Sequence, residues 1–366
     1  MHILFIIFLV AAAVQVIYFT CFLVAFHKKS IDSGSEPQPV SVIVCAHDEE
    51  QNLKELIPLL LKQQHAQFEV IIVNDRSNDG TYDYLLEATQ QDNRLRMVQV
   101  GQTPQHISGK KYAITLGIKA ARHDWVLLTD ADCRPETDLW IHTMSTQCEQ
   151  EKEIVLGYSP YQKESGFLNL FIRFETLFTG MQYIAYAILG NPYMGVGRNL
   201  AYRKSLFLNN KGFNGFLGVT GGDDDLFVNQ HATSKNTAIC VGADSLMTSI
   251  PKKTWKEFFH QKVRHLSVGK RYRFTHRFVL GMFSISHLLT WLTLIPLLFV
   301  FSGILWVLGA FLLRGIFLMV ATHQAAARFG QKFEWWSVPL LDFVFVIYYL
   351  STAPVALLTK KMRWKN

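Results

Sequence analysis

Apolar positions gather at the two ends of this chain, while its middle alternates short apolar runs with mixed stretches. Residues 3–26 form a nearly unbroken apolar run, close to the ~20 residues that a helix needs to cross a bilayer. A second run, 278–322, is long enough for two such helices with a break near Ser302 and Gly303, and 337–358 supplies a further candidate. Polar residues 30–39, with proline and glycine among them, read as a linker. From residue 40 onward strands and amphipathic helices take turns. The pattern predicts strands at 40–46, 68–74, 95–100 and 125–129, with helices at 52–64, 81–91 and 110–121 between them. Such alternation predicts an α/β fold, a mainly parallel, doubly wound sheet with helices on both faces. Ligands of such sheets sit beyond the carboxyl ends of the strands.

Charge orients the apolar ends. Lys and Arg total 36 against 29 acidic residues, and much of the surplus flanks the apolar runs: His27, Lys28 and Lys29, then 252–277, then Lys360, Lys361, Arg363 and Lys365. Basic residues so placed favour an anionic cytoplasmic leaflet, which puts the large middle domain in the cytoplasm behind an uncleaved N-terminal anchor. Four full spans would then leave the C-terminal cations outside, unless one late segment lies in the interface or re-enters; both topologies stay open. Arg314 and Asp342 sit inside apolar stretches, where ionisable groups are costly. They pair with each other, line a lipid headgroup slot, or, for Arg314, snorkel to an interface. No basic patch with interleaved aromatics stands apart from a membrane segment, so a nucleic-acid partner is not expected. The five cysteines lack C-x-x-C spacing and do not make an even set, which argues against a zinc site or a disulfide framework. The expected organisation is an anchor at 1–29, a linker at 30–39, a catalytic domain at 40–250, a basic interfacial helix at 251–277 and a membrane region of two or three spans at 278–366.

Three of the four strands end in or just before acidic residues: Asp48 and Glu49, Asp75, and Asp130. Carboxylates gathered at one sheet edge repel each other unless a cation or a donor-rich ligand joins them. In Asp130-Ala131-Asp132 the two carboxylates share one side of an extended strand end and can face one hard divalent cation that keeps positions open for water and phosphate oxygens. On a surface loop the same triplet is a solvated turn; at the end of a buried strand it reads as functional. Residues 74–81 are turn and cap formers, so Asp79 or Ser77 can cap while Asp75 points to a nucleoside. Lys110 opens a helix without the full spacing of a phosphate loop, yet a helix start favours a diphosphate. Asp223, Asp224 and Asp225 follow Gly221 and Gly222. They either populate a helix first turn or include the base that takes a proton from an attacking hydroxyl, a role suited to the raised pKa of crowded carboxylates. On a predicted basic helix at 254–272, Gln261 and Arg264 share a face and can clamp a departing diphosphate, while the rest of that helix touches lipid headgroups. Residues 167–189 read as core, or as an amphipathic helix on the bilayer.

In this order the motifs resemble a membrane-integrated family 2 glycosyltransferase with a nucleotide-sugar-binding domain of the GT-A type, a likeness that runs from about residue 40 to 272. The resemblance implies that Ala46, Glu49, Asp75 and Lys110 bind the nucleotide sugar together with Asp130, Gln261 and Arg264. It implies a divalent cation, Mg²⁺ or Mn²⁺, on Asp132 and Asp130. Asp224 would be the base, with Asp223 second, and Asn199 and Asp225 would border the acceptor. His265 stands where the family has tryptophan, Cys45 where proline is usual and Asp48 where asparagine is usual. The implied reaction is a single displacement with inversion, from a nucleoside-diphosphate sugar (uridine being the commoner base) to a membrane lipid, in a bacterial cytoplasmic membrane. Extension of a glycan, or a non-catalytic membrane scaffold, are the alternatives.

Overall fold

A computed structural model describes residues 2–28 and 35–358. Lys29, linker residues 30–34 and the C-terminal cations from Lys360 on lie outside the described residues. In chain order the elements are α1 (His2–His27), β1 (Val40–Ala46), α2 (Glu50–Leu61), β2 (Phe68–Asn74), α3 (Thr81–Gln91), β3 (Leu95–Gln99), α4 (Gly109–Ala120) and β4 (Trp125–Asp130). There follow β5 (Cys133–Pro135), α5 (Trp140–Ser145), β6 (Ile154–Gly157), α6 (Phe167–Ile188), β7 (Leu200–Arg203), α7 (Lys204–Asn209), α8 (Asp225–His231), β8 (Thr237–Cys240) and β9 (Met247–Ser249). The chain then continues as α9 (Trp255–Gly269), α10 (Phe274–Val300), α11 (Ile304–Arg328) and α12 (Val338–Leu358).

Seven strands form one sheet in the order β3-β2-β1-β4-β7-β6-β8. The first four are parallel, as the alternation predicts, and β7 enters antiparallel between β4 and β6. A separate two-stranded ribbon joins β5 to β9. The period of two along β1 divides its apolar side chains between two cores. Val42 and Val44 pack with Leu53 and Leu56 of α2 on one face, and Ile43 packs with Ile114 and Ile118 of α4 on the other. Gly117 lets α4 lie this close, since a Cβ there would come within 2.7 Å of Ile43 Cγ2. Register brings the carboxyl ends level: Ala46 lies opposite Asn74, and Cys45 opposite Asp130. The residues that follow β2 and end β4 therefore open at one edge.

Among the described residues four helices, α1, α10, α11 and α12, are long and apolar enough to cross a membrane. Phe5 stacks on Phe301 at one end of α1, while Phe19 and Phe22 meet Phe283 and Phe26 meets Phe329 toward the other. So α10 runs against α1 and α11 runs with it. Arg314 and Asp342 do pair. Arg314 Nη2 donates to Asp342 Oδ1 (3.0 Å) and to Gln15 Oε1 (3.2 Å), and Trp291 Nε1 donates to Asp342 Oδ2 (2.9 Å). Both ions are 1% exposed, so Arg314 does not snorkel. The turn from α11 to α12 lies against the α/β domain: Glu334 pairs with Arg173 (3.0 Å) and Lys163 (2.7 Å), and Gln331 accepts from the Tyr158 hydroxyl (3.1 Å). Six residues after Asp342, Tyr348 of α12 stands against Phe171 of α6 and Phe258 of α9. The helix thus keeps to the underside of the domain.

Candidate active site

Lys110, on the first turn of α4, is the hub of the carboxylates. Its Nζ lies 2.9 Å from Asp130 Oδ1 and 3.5 Å from Asp223 Oδ2. Burial would lower its pKa, but Asp130 and Asp223 hold it well above the ordinary lysine value. Burial likewise opposes ionisation of Asp130, and the ammonium outweighs it, leaving that carboxyl below its ordinary value. The neighbouring Lys111 is fully buried and donates to the carbonyls of Val219 and Gly221. It thereby fixes the loop whose two glycines, Gly221 (φ +85°) and Gly222 (φ +81°), take left-handed backbone that a side chain would strain.

That loop delivers the three aspartates. Asp224 accepts from Gly197 N (2.8 Å) at Oδ2 and from Asp225 N (2.8 Å) at Oδ1, which pins its carboxylate. Burial, then the charge of Asp223, raises its pKa. Asp225 accepts from Leu226 N (2.8 Å) and from the Tyr272 hydroxyl (2.7 Å), and burial together with Asp224 pushes it up to about 8. All three line a cavity of about 230 Å³ with Lys110, Asp130, Arg198, Gln261, Arg264 and His265.

Asp132 lies two residues beyond Asp130, half-buried, with the Cys133 thiol 3.7 Å from its Oδ1. Burial and the charge of Asp130 raise its pKa. Among the described residues no three His, Cys, Asp or Glu side chains group as a complete ligand set. Two hard carboxylate oxygens with the remaining positions left to water and diphosphate suit Mg²⁺ or Mn²⁺, so the residues present fit such an ion.

Other sequence-derived candidates take several positions. Asp75 is buried, receives Arg76 Nε (2.8 Å), and brings its Oδ2 to 3.0 Å from a Cβ built on Gly109. It therefore sits at the start of α4, and its N–H bonds the carbonyl of Ala46 (2.8 Å). Glu49 accepts from Asn52 Nδ2 (2.6 Å), and its N–H donates to Thr81 Oγ1 (3.1 Å). Ala46, Glu49 and Asp75 thus border the β1–β2 part of the same edge, outside the cavity lining. Gln261 donates to the Tyr161 hydroxyl (3.2 Å), while its Oε1 is buried without a hydrogen-bond partner. Asn199 is not brought to the cavity. It is 0% exposed, accepts from Trp140 Nε1 (3.0 Å) and donates to the carbonyls of Tyr158 (2.8 Å) and Ser245 (2.7 Å). Its hydrogen-bonding atoms are spent on the core.

Arg198, its neighbour, takes the cavity position. Its guanidinium lies 4.4 Å from the centre of the Tyr161 ring, with Nη1 buried and unpartnered. The resemblance marks Asn199 but not which side chain beside it turns inward. Lys262, Glu175 and Tyr272 are also absent from the sequence-derived set, because nothing local announces partners so far apart in the chain.

The mainly parallel sheet, with its level row of strand ends and the carboxylates and cations gathered beyond them, has the architecture of a GT-A-type fold. Residues 41–209 match the model of glycosyl transferase family 2. It is similar to a glycosyltransferase of Haemophilus influenzae, 27% identical over 157 residues that make up 42% of this chain and 44% of that protein. It is also similar to the poly-β-1,6-N-acetyl-D-glucosamine synthase of Staphylococcus aureus, 26% identical over 114 residues, 31% of this chain and 26% of that one. The alignment spans less than half of either relative. Among solved structures, the mannosyltransferase PcManGT of Pyrobaculum calidifontis, in complex with GDP-Man and Mn²⁺, superposes with a TM-score of 0.60 at 18% identity. That match covers 89% of this chain and 97% of the other, so the two share a fold.

Proposed function

We propose that the protein is an inverting glycosyltransferase that moves a sugar from a nucleoside diphosphate, uridine being the expected base, to a hydroxyl of a membrane lipid at the cytoplasmic face. The observation that carries this reading is the cavity itself. It joins the Lys110-centred carboxylates to side chains of α6, α9 and α12, and α6 in turn meets α10 through Phe178 and Phe283. Asp130 and Asp132 would hold a divalent cation, which when bound would supply positive charge for the departing diphosphate. Lys110, Arg198 and Arg264 add fixed positive charge beside it, electrostatic stabilisation that needs no reorganisation during the reaction. Ala46, Glu49 and Asp75 border the nucleoside. Asp224, held by two backbone N–H groups, takes the proton of the attacking hydroxyl. The anchor at α1, the domain from residue 40 and the helices from α10 on then form a membrane protein whose catalytic side faces the anionic leaflet. α12, packed under α6 and α9, supports the topology in which a late segment does not leave the catalytic side.

The GDP-Man of the Pyrobaculum structure keeps guanosine on the donor panel, and the Staphylococcus relative's name keeps glycan extension as the second reading. Turnover of UDP-Glc, UDP-Gal, UDP-GlcNAc and GDP-Man by the full chain, with total membrane lipid as acceptor, tests both at once. One labelled product of fixed size is expected. A ladder of lengths would favour extension, and no consumption of any donor would end the reading. Chelation with EDTA is expected to abolish transfer, with recovery on Mn²⁺ or Mg²⁺. Asp132→Ala is expected to remove the cation dependence of donor binding in titration calorimetry; unchanged dependence would take Asp132 out of the metal site.

A pH profile tests the base. Asp224 acts deprotonated, so its raised pKa places the acid limb of kcat/KM above the ordinary aspartate range of about 4. Asp223→Asn removes the like charge beside it, and the limb is expected to move to lower pH. Loss of turnover instead, with donor still bound, would transfer the base role to Asp223.

A further inference from the structure

The cavity has a second lobe whose residues, Gln261 excepted, neither the donor nor the proton transfer proposed above uses. It is lined by Glu175, Thr176 and Tyr183 of α6, Gln261 and Lys262 of α9, and Tyr348 of α12. Glu175 and Lys262 are 5% and 8% exposed and form an ion pair, so this wall carries no net charge. The Tyr183 hydroxyl is spent on the carbonyl of Gly157 (2.7 Å), which leaves its ring as a wall. Two polar atoms are unspent. Thr176, only 7% exposed, has Oγ1 buried without a hydrogen-bond partner, and so is Gln261 Oε1. Buried polar atoms in folded proteins are almost always satisfied, so two orphans in one lobe point to a ligand that supplies the missing donors and acceptors.

Charge narrows the class of that ligand. Lys262 is neutralised by Glu175, and Lys110 is shared between Asp130 and Asp223. Arg198 lies on Tyr161, on the side of Asp130 and Asp132 where the donor's diphosphate is expected. An acceptor phosphate in this lobe would have to break an existing ion pair, which is strongly unfavourable for a buried one, or compete for Arg198 and Arg264 with the donor's diphosphate. Sugar or polyol hydroxyls match the orphan atoms, and their C–H faces match tyrosine rings.

We propose that this lobe is the acceptor subsite and that it takes an uncharged, hydroxyl-bearing headgroup, a sugar or polyol on a lipid, in preference to a lipid phosphate. This rests on the transfer reaction proposed above. The test uses the full chain reconstituted in phosphatidylcholine vesicles, with the donor found by the panel, and two acceptor probes, octyl β-D-glucoside and farnesyl phosphate. Octyl glucoside is expected to be the better substrate by at least about tenfold in kcat/KM, the worth of one or two well-made hydrogen bonds. Thr176→Val should raise KM for octyl glucoside about fivefold, one neutral hydrogen bond, without moving KM for the nucleotide sugar. Thr176→Ser, which keeps the hydroxyl, should restore the value and exclude a folding defect. Farnesyl phosphate as the better acceptor, or an acceptor KM indifferent to Thr176→Val, would overturn the assignment. A wild-type chain that consumes no nucleotide sugar with either cation would instead sink the transfer reaction on which it rests.

Discussion

Asp224→Asn should leave donor binding intact and lower turnover on the order of 10³-fold, within the span that a positioned general base contributes. The substitution is nearly isosteric, and its amide oxygen can still accept from one of the two N–H groups, Gly197 N or Asp225 N. The loop held by Lys111 therefore keeps its shape, and the loss reports proton transfer. Donor affinity by calorimetry and single-turnover transfer measured on the same sample separate the two steps. Turnover near that of the unaltered protein would exclude Asp224 as the base, and the pH profile of Asp223→Asn would then show whether its neighbour serves. The two experiments are complementary, because the charge of Asp223 raises the cost of ionising Asp224.

The parallel half of the sheet was legible in the sequence because β1, β2 and β4 are buried on both faces and read as continuous apolar runs. Their level ends followed from the same pattern, which placed Asp130 at the ligand edge; only the family resemblance joined the triple aspartate to it. The antiparallel half was not legible. Strands β6, β7 and β8 are four residues each, too short for a period to register. Asn199 and Arg198 show the second limit. Adjacent residues near a strand point to opposite sides, and no local signal says which side is the cavity. The Glu175–Lys262 pair shows a third, since it joins helices 87 residues apart and only tertiary packing brings them together. For α12, composition identified an apolar helix, but its path depended on Tyr348 meeting Phe171 and Phe258.

The largest stability effect is expected at Asp342. Removing it by Asp342→Ala leaves Arg314 buried and uncompensated, a change that typically costs about 3–5 kcal/mol. Trp291 Nε1 would lose its acceptor, and His287 Nε2 the carboxylate that lies 3.0 Å from it. The expected result is a sharply lower unfolding temperature for the purified protein in detergent. The double variant Arg314→Leu with Asp342→Leu removes both charges together and should recover most of the loss, as replacement of buried pairs by apolar residues often does. A double variant no more stable than Asp342→Ala would mean that the cluster fixes helix positions by hydrogen bonding rather than by charge balance.

The aromatic seam beneath the domain has a practical consequence. Phe174 and Phe178 of α6 share one buried cluster with Phe22 of α1, Phe283 of α10, Phe329 beyond α11 and Phe345 of α12. The catalytic half therefore has no finished lower surface of its own. Trimming the gene to residues 40–272 would bare those rings and the Tyr158 face that Phe329 covers, and the product would collect as inclusion bodies. Expression should begin with the intact chain, extracted from membranes in one piece.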